Sequence, residues 1–147
     1  SLRWYENGYM QSRCFYKDNH YDSIFESYNV TGNMVKSEYY KKGVKHGPIT
    51  QWYDNGELFL KGSYNEGMLD GRWIIYYADG SIGSTATYNM GSGVQIGYSQ
   101  SGLMMTKIHF KDNVKDGEEL RYDKQGEVME ILIWEDGEFV KKIDKKH

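Results

Sequence analysis

Two interleaved series of turn residues constrain this chain more than any other feature. Gly8, Gly32, Gly56, Gly80, Gly102 and Gly126 are separated by 24, 24, 24, 22 and 24 residues. Asn19, Gly43, Gly67, Gly91, Asn113 and Gly137 follow with the same separations. A shared period of this length marks stacked supersecondary units, none of which buries its apolar side alone. Six units begin at Trp4, Tyr28, Trp52, Tyr76, Tyr98 and Tyr122, and Trp52–Ile75 is the most regular of them. Asn19 and Asn113 stand where the second series lacks glycine. Asn is the next most tolerant residue of the left-handed region, so a positive φ is expected throughout that series. Asn7-Gly8, Asn55-Gly56, Asp79-Gly80 and Asp136-Gly137 are hairpin-turn dipeptides.

Between the two turns of each unit runs a segment of about eight residues with period-two patterning. Its first inward position holds Met10, Met34, Leu58, Ile82, Met104 and Val128. Its last holds Tyr16, Tyr40, Tyr64, Tyr88, Phe110 and Trp134. The even spacing predicts that both positions share one buried strand face. A second, shorter strand then leads to the aromatic that opens the next unit, and the second turn is expected between Gly67 and Gly71 and their equivalents. Lys36, Glu38 and Glu130 fall on the nominally inward face, which is therefore expected to be partly wet or curved open. The fourth unit is two residues short, and the loss is placed in its turn, at Gly91-Ser92-Gly93. The stretch 140–147 reads as a tail that adds a turn of helix or frays.

Composition fits an all-β chain: 14 Tyr, 17 Gly, one Pro and a mean hydropathy of −0.77. Tyr suits half-buried strand surfaces and Gly supplies turns. The net charge of −3 argues against a nucleic-acid binder working by bulk charge. No apolar run reaches membrane-spanning length. The lone Cys14 allows no intramolecular disulfide and favours a reducing, cytoplasmic setting. The start at Ser1, within the repeat pattern, leaves room for a removed leader or earlier repeats and hence for an exported or envelope protein.

The unit Trp52-Tyr53-Asp54-Asn55-Gly56, Tyr64-Asn65-Glu66-Gly67, Leu69-Asp70-Gly71-Arg72-Trp73, then Tyr76-Tyr77-Ala78-Asp79-Gly80, resembles the MORN repeat. It is most similar to the bacterial variant type, the YwqK-like antitoxin and immunity family. The resemblance covers essentially the whole chain, read as a single domain over 1–147. It implies an elongated, single-layer antiparallel sheet of about six stacked 24-residue hairpins with a groove along one side. The end units depart from the pattern: Ser23 and Lys141 stand where a glycine is usual, as capping units allow.

Chemistry-bearing residues are sparse. His20, His46, His109 and His147 occupy different repeat positions, and no zinc-ligand spacing occurs. Cys14 reads as a buried structural thiol. Asp70, Asp112, Asp116, Glu118 and Glu119 read as solvated turn carboxylates rather than an acid–base pair. No catalytic residue, metal site or cofactor is expected. The residues after the opening aromatics are Tyr5, Asn29, Tyr53, Tyr77, Ser99 and Asp123. Adjacent strand residues face opposite sides. One column is thus expected in the core, with Trp52 in it, and the other more exposed. Phe25, Tyr53, Trp73 and Tyr77 would then form an aromatic patch, either an interface anchor or structural cover for the sheet.

The expectation for function is a non-catalytic protein-binding module. The resemblance implies the antitoxin or immunity partner of a bacterial toxin, and mild acidity suits a basic toxin. The alternative is a cell-envelope or membrane-associated scaffold that binds anionic lipid, through Lys141, Lys142, Lys145 and Lys146, or an envelope partner.

Overall fold

The computed structural model describes residues 1–17 and 22–145. The Asn19 turn, His20, Lys146 and His147 lie outside them. No helix occurs among the described residues, which form 13 strands. These are β1 (Leu2–Trp4), β2 (Met10–Lys17), β3 (Asp22–Tyr28), β4 (Met34–Lys41), β5 (Val44–Trp52), β6 (Leu58–Asn65) and β7 (Met68–Tyr76). They continue as β8 (Ile82–Asn89), β9 (Ser92–Tyr98), β10 (Met104–Lys111), β11 (Val114–Tyr122), β12 (Val128–Glu135) and β13 (Glu138–Asp144). All belong to one open antiparallel sheet in sequence order, so each strand pairs only with its chain neighbours. The expected fold is thus present. The described part of the tail is not helical: β13 takes it to Asp144 as an edge strand.

Every described residue of both turn series has a positive φ, Asn113 at 72° included. The two series nevertheless make different turns. At Asn55-Gly56 only the glycine is left-handed, and its N–H donates to the Tyr53 carbonyl at 2.9 Å. The Asn55 side chain accepts from the Glu57 N–H at 2.9 Å, an Asx turn. At Asp136-Gly137, and at 42–43, 66–67, 90–91 and 112–113, both residues have positive φ. Both central residues left-handed is the type I′ hairpin.

The two turn residues are tied to the preceding unit. Gly91 donates its N–H to the Leu69 carbonyl at 2.7 Å, and the Met90 N–H donates to Asp70 Oδ1 at 3.0 Å. Asp22, His46 and Asp116 serve Lys42, Glu66 and Asp136 in the same way. Asp70 and Asp116 are therefore clamps between repeats, not idle turn residues. Asn113 reaches furthest. Its amide donates to the Gly67 carbonyl at 2.9 Å, and its oxygen accepts from the Leu69 N–H at 2.7 Å.

Bulges correct three sequence expectations. On the first-turn side, Gln51 pairs with Leu60 but Trp52 with Leu58, which leaves Phe59 as an extra residue. Val35, Gly83, Met105 and Met129 are the equivalent extras. A one-residue slip moves a strand to the other face. The first-position residues therefore do not share a face with the closing aromatics: Ile82 is 41% and Met104 40% exposed, whereas Tyr88 is 7% exposed.

The second bulge lies inside β5, β7 and β11. Residues 71–73 stand opposite Gly62 alone, because Lys61 pairs with Ile74 and Ser63 with Asp70. Gly47, Gly71 and Gly117 supply its left-handed residue. Gly71 is thus part of a strand, not the end of a turn, and the second strands of these units are longer than the first, at nine residues against eight. In the short fourth unit the Met90-Gly91 turn is intact, and what is missing is the bulge: β8 and β9 pair without a break from Ser84↔Gly97 to Asn89↔Ser92. Ser23 stands in a hairpin without this bulge, and Lys141 beside a smaller one.

The core lies on one face of the sheet. Ile49, Ala86, Tyr88 and Leu132 are its buried apolar residues. The row continues by pairing through Cys14, Phe25, Glu38, Ile49 and Gly62, and later through Ala86, Gln95, Ile108, Glu119 and Leu132. Cys14 is half-buried rather than enclosed. An aromatic ladder runs alongside. Trp73 meets Tyr64 at 5.1 Å and Tyr88 at 6.3 Å between ring centroids, and Tyr88 meets Phe110 at 5.7 Å, all edge-on. Burial pushes the Tyr88 hydroxyl up to about 12. Tyr40 reaches about 12 as well, through burial and its hydrogen bond to Glu38. An absorbance titration should show a late-ionising group that includes these two, Tyr28 and Tyr64 also being raised by burial, and replacing Tyr88 with Phe should remove part of it.

Candidate functional site

Phe25, Tyr53, Trp73 and Tyr77 do not assemble into one patch of touching rings: among the described residues, no ring contact joins two of the four. Trp73 lies over Gly62 and donates its indole N–H to the Ser63 carbonyl at 3.0 Å. Tyr53 stacks obliquely on Phe59 at 4.9 Å and donates its hydroxyl to the Tyr76 carbonyl at 2.6 Å. Tyr77 lies over Gly83 and donates to the Tyr98 carbonyl at 2.5 Å. Tyr5 does the same to Tyr28, and Asn29 reaches Asp54 with its amide. Tyr5, Asn29, Tyr53 and Tyr77 thus tie each of the first four units to the next. Phe25 sits in the core-face row between Cys14 and Glu38. Neither aromatic column is core: Trp52 and Tyr53 are both half-buried. Tyr53→Phe and Tyr77→Phe should each lower stability by about 1 kcal/mol, through an orphaned carbonyl, as read by urea melts.

The core face carries buried carboxylates where the inward positions of Lys36, Glu38 and Glu130 had suggested a wet surface. Glu38 is 4% exposed, with Lys36 at 3.4 Å, Lys45 at 3.9 Å and the Tyr40 hydroxyl at 2.9 Å. Glu119 is 2% exposed, far from the solvated turn residue expected of it. It accepts from Lys115 at 2.9 Å, Arg121 at 3.0 Å and the Trp134 indole at 3.1 Å. Burial acts to raise the Glu119 carboxyl, but these hydrogen bonds and charges outweigh it and hold the group below its ordinary value. Arg121 also bonds Glu130, which Lys142 approaches at 3.7 Å. The Glu119 groups satisfy one another, whereas Glu38 Oε2 is buried without a hydrogen-bond partner among the described residues, with only Lys45 near it.

The opposite, outer face differs. Near its N-terminal end Arg13 is occupied by Glu26 at 3.3 Å and lies over the Phe15 ring at 4.6 Å. At its centre stands Arg72, which is exposed and makes no ion pair or hydrogen bond among the described residues. The second bulge places it there: Gly71, at φ 75°, re-aims the strand, and Arg72 pairs with Thr87 on β8. Two adjoining depressions of ≈ 430 and ≈ 390 Å³ share Arg72 and Thr85. Together they form a groove along β8, walled by Ile82, Tyr98, Val94 and Ile96. No carboxylate lines it. Sequence reasoning did not single out Arg72. The available signal was the glycine four residues after Gly43, Gly67 and Asn113, which marks a bulge and an outward-pointing successor.

The family model described as the MORN repeat variant matches residues 45–66 and 69–90. The second match contains Arg72, Thr85 and Thr87. No curated protein matches the chain.

Proposed function

We propose that this chain, a MORN repeat protein, is a non-catalytic module that holds another protein against the outer face of its sheet. MORN repeats are in general protein- and membrane-binding modules, and generally not enzymes. The observation that carries the reading is the outer-face groove along β8, which the second matched repeat lines on one side and residues 93–102 on the other, and which is not filled by the chain's own side chains. A one-layer sheet has no second layer to occupy that face, so contact with a partner would bury it.

The partner we favour is a bacterial toxin, with this chain as its antitoxin or immunity protein. The chain would act by occupying the toxin's surface, which requires affinity and no reaction chemistry. The test is co-expression with the product of the neighbouring gene. A stoichiometric complex on size exclusion, together with restored growth of cells carrying the toxin, is the expected result. Flotation with anionic vesicles and no protein complex would overturn it in favour of the scaffold reading. Lys142, in the stretch that would meet the lipid, is already held by Glu130 at 3.7 Å and Asp144 at 3.6 Å.

A further inference from the structure

We propose that the groove at Arg72 receives an extended polypeptide segment bearing an acidic side chain, which pairs with the Arg72 guanidinium. The inference rests on the protein-binding reading and adds the chemistry of what is bound.

Three observations carry it. The first is presentation. The bulges of β5, β7 and β11 place Pro48, Arg72 and Glu118 after their left-handed glycines, and all three are exposed. Arg72 is the cation of the set. Glu118 stands on β11, four strands from β7, or about 19 Å at the usual strand spacing. It is too distant to neutralise Arg72.

The second is clearance. β9 is the strand that would carry the next bulge beside Arg72, and it has none. Val94 pairs directly with Thr87, which pairs with Arg72. The space a bulge residue would fill is the depression next to the guanidinium. Gly93 keeps that strand close, since a Cβ there would meet the Thr87 carbonyl oxygen. The two missing residues of the fourth unit thus open the groove instead of shortening a turn.

The third is charge. Arg13 and Arg121 each hold a carboxylate, whereas Arg72 holds none among the described residues. The groove offers the hydroxyls of Thr85 and Thr87 beside the cation, while Ser81 gives its hydroxyl to Asp79 at the rim and Ser99 is paired with Ser101. Lys61 and Lys107 flank it in one row, linked through Ile74, Thr85 and Ile96. Neither has a salt bridge among the described residues. Although the whole chain is acidic, this region is cationic. An Arg fork takes a carboxylate in bidentate fashion, and apolar walls strengthen the pair by excluding water. From Ser81 to Thr87 the groove follows one strand for about 20 Å, which suits an extended segment rather than a compact ligand.

The experiment is selection from a random-peptide display library on the immobilised chain, followed by titration calorimetry. The selected peptides are expected to share an Asp or Glu flanked by apolar residues. Arg72→Gln should weaken them by about tenfold or more. Arg72→Lys should keep part of the affinity, as charge without the fork. Replacing the peptide carboxylate by its amide should cost the same as Arg72→Gln, and the two changes together no more than either alone. Arg72 is exposed and unpartnered, so Arg72→Gln should melt with the wild type. If peptides are selected without carboxylates, or bind Arg72→Gln equally, this inference fails and the protein-binding reading stands. If no peptide is selected, both fall. If phosphatidylserine vesicles bind through Arg72 and no peptide does, the cation serves lipid and the inference is overturned.

Discussion

Gly62→Ala should destabilise the protein by about 3 kcal/mol, although it adds only one methyl group. A Cβ at Gly62 would lie within the Trp73 indole. The ring cannot yield easily. It sits edge-on to Tyr64 on one side and Tyr88 on the other, and its N–H is committed to the Ser63 carbonyl. Moving it disturbs three aromatic residues and leaves two polar groups unpaired, one of them a backbone acceptor. Gly62 has no positive φ, so the cost is steric and not conformational. That distinction supplies the control. Gly62→Ala combined with Trp73→Leu should cost less than the sum of the two single changes, because the smaller side chain vacates the space. Chemical denaturation of the four proteins measures the coupling. Additive losses would mean that the glycine is required by the backbone instead.

Glu119→Ala should cost about 2 kcal/mol. Breaking a fully buried ion pair costs about 3–5 kcal/mol. The partners here are partly wet, with the Lys115 and Arg121 side chains 34% and 43% exposed, so water recovers some of that. Glu119→Leu should instead stay within about 1 kcal/mol of the wild type. Its paired neighbours, Ile108 and Leu132, are apolar, and Lys115 keeps its place over the Trp134 ring at 4.5 Å. Acid separates the variants further. The Glu119 carboxyl is held below its ordinary value, so its contribution is complete above the ordinary carboxylate range. It fades as the pH falls through the folded value. Glu119→Leu should lack this part of the acid loss, and melting temperatures measured at falling pH will show whether the two curves converge.

The repeat frame was legible because a positive φ is written into residue type. Gly56, Gly67 and Asn113 announce it wherever they stand. The faces were not legible, because the first bulge inserts Phe59, Gly83, Met105 or Met129, residues with nothing in common. One such insertion turns Met104 away from the side that Phe110 occupies, while the sequence still alternates evenly. The same gap explains Glu119. Its partners Lys115 and Arg121 are close in sequence, but only the register places the carboxyl between Ile108 and Leu132 and so buries it. Trp73 and Tyr77 were readable as aromatics in equivalent places. That Tyr77 spends its hydroxyl on the next unit's backbone depends on where the Tyr98 carbonyl points, which no pattern of residue types encodes. For Arg72 the bulge glycine was readable, but what sets this residue apart, the missing bulge of β9 beside it, is a matter of register.

Strands that pair only with their chain neighbours leave nothing for a nascent chain to wait for. On the ribosome about 5–20 residues are added each second, so a 24-residue unit takes roughly 1–5 s to emerge. A hairpin forms in roughly microseconds. Each unit therefore has its sole upstream partner already in place when it appears, and the sheet can extend by addition to one growing end. No stretch needs to remain open for a distant partner, as it would in a barrel or a Greek key. The vulnerable surface at any moment is a single strand edge, and the next unit to be synthesised covers it.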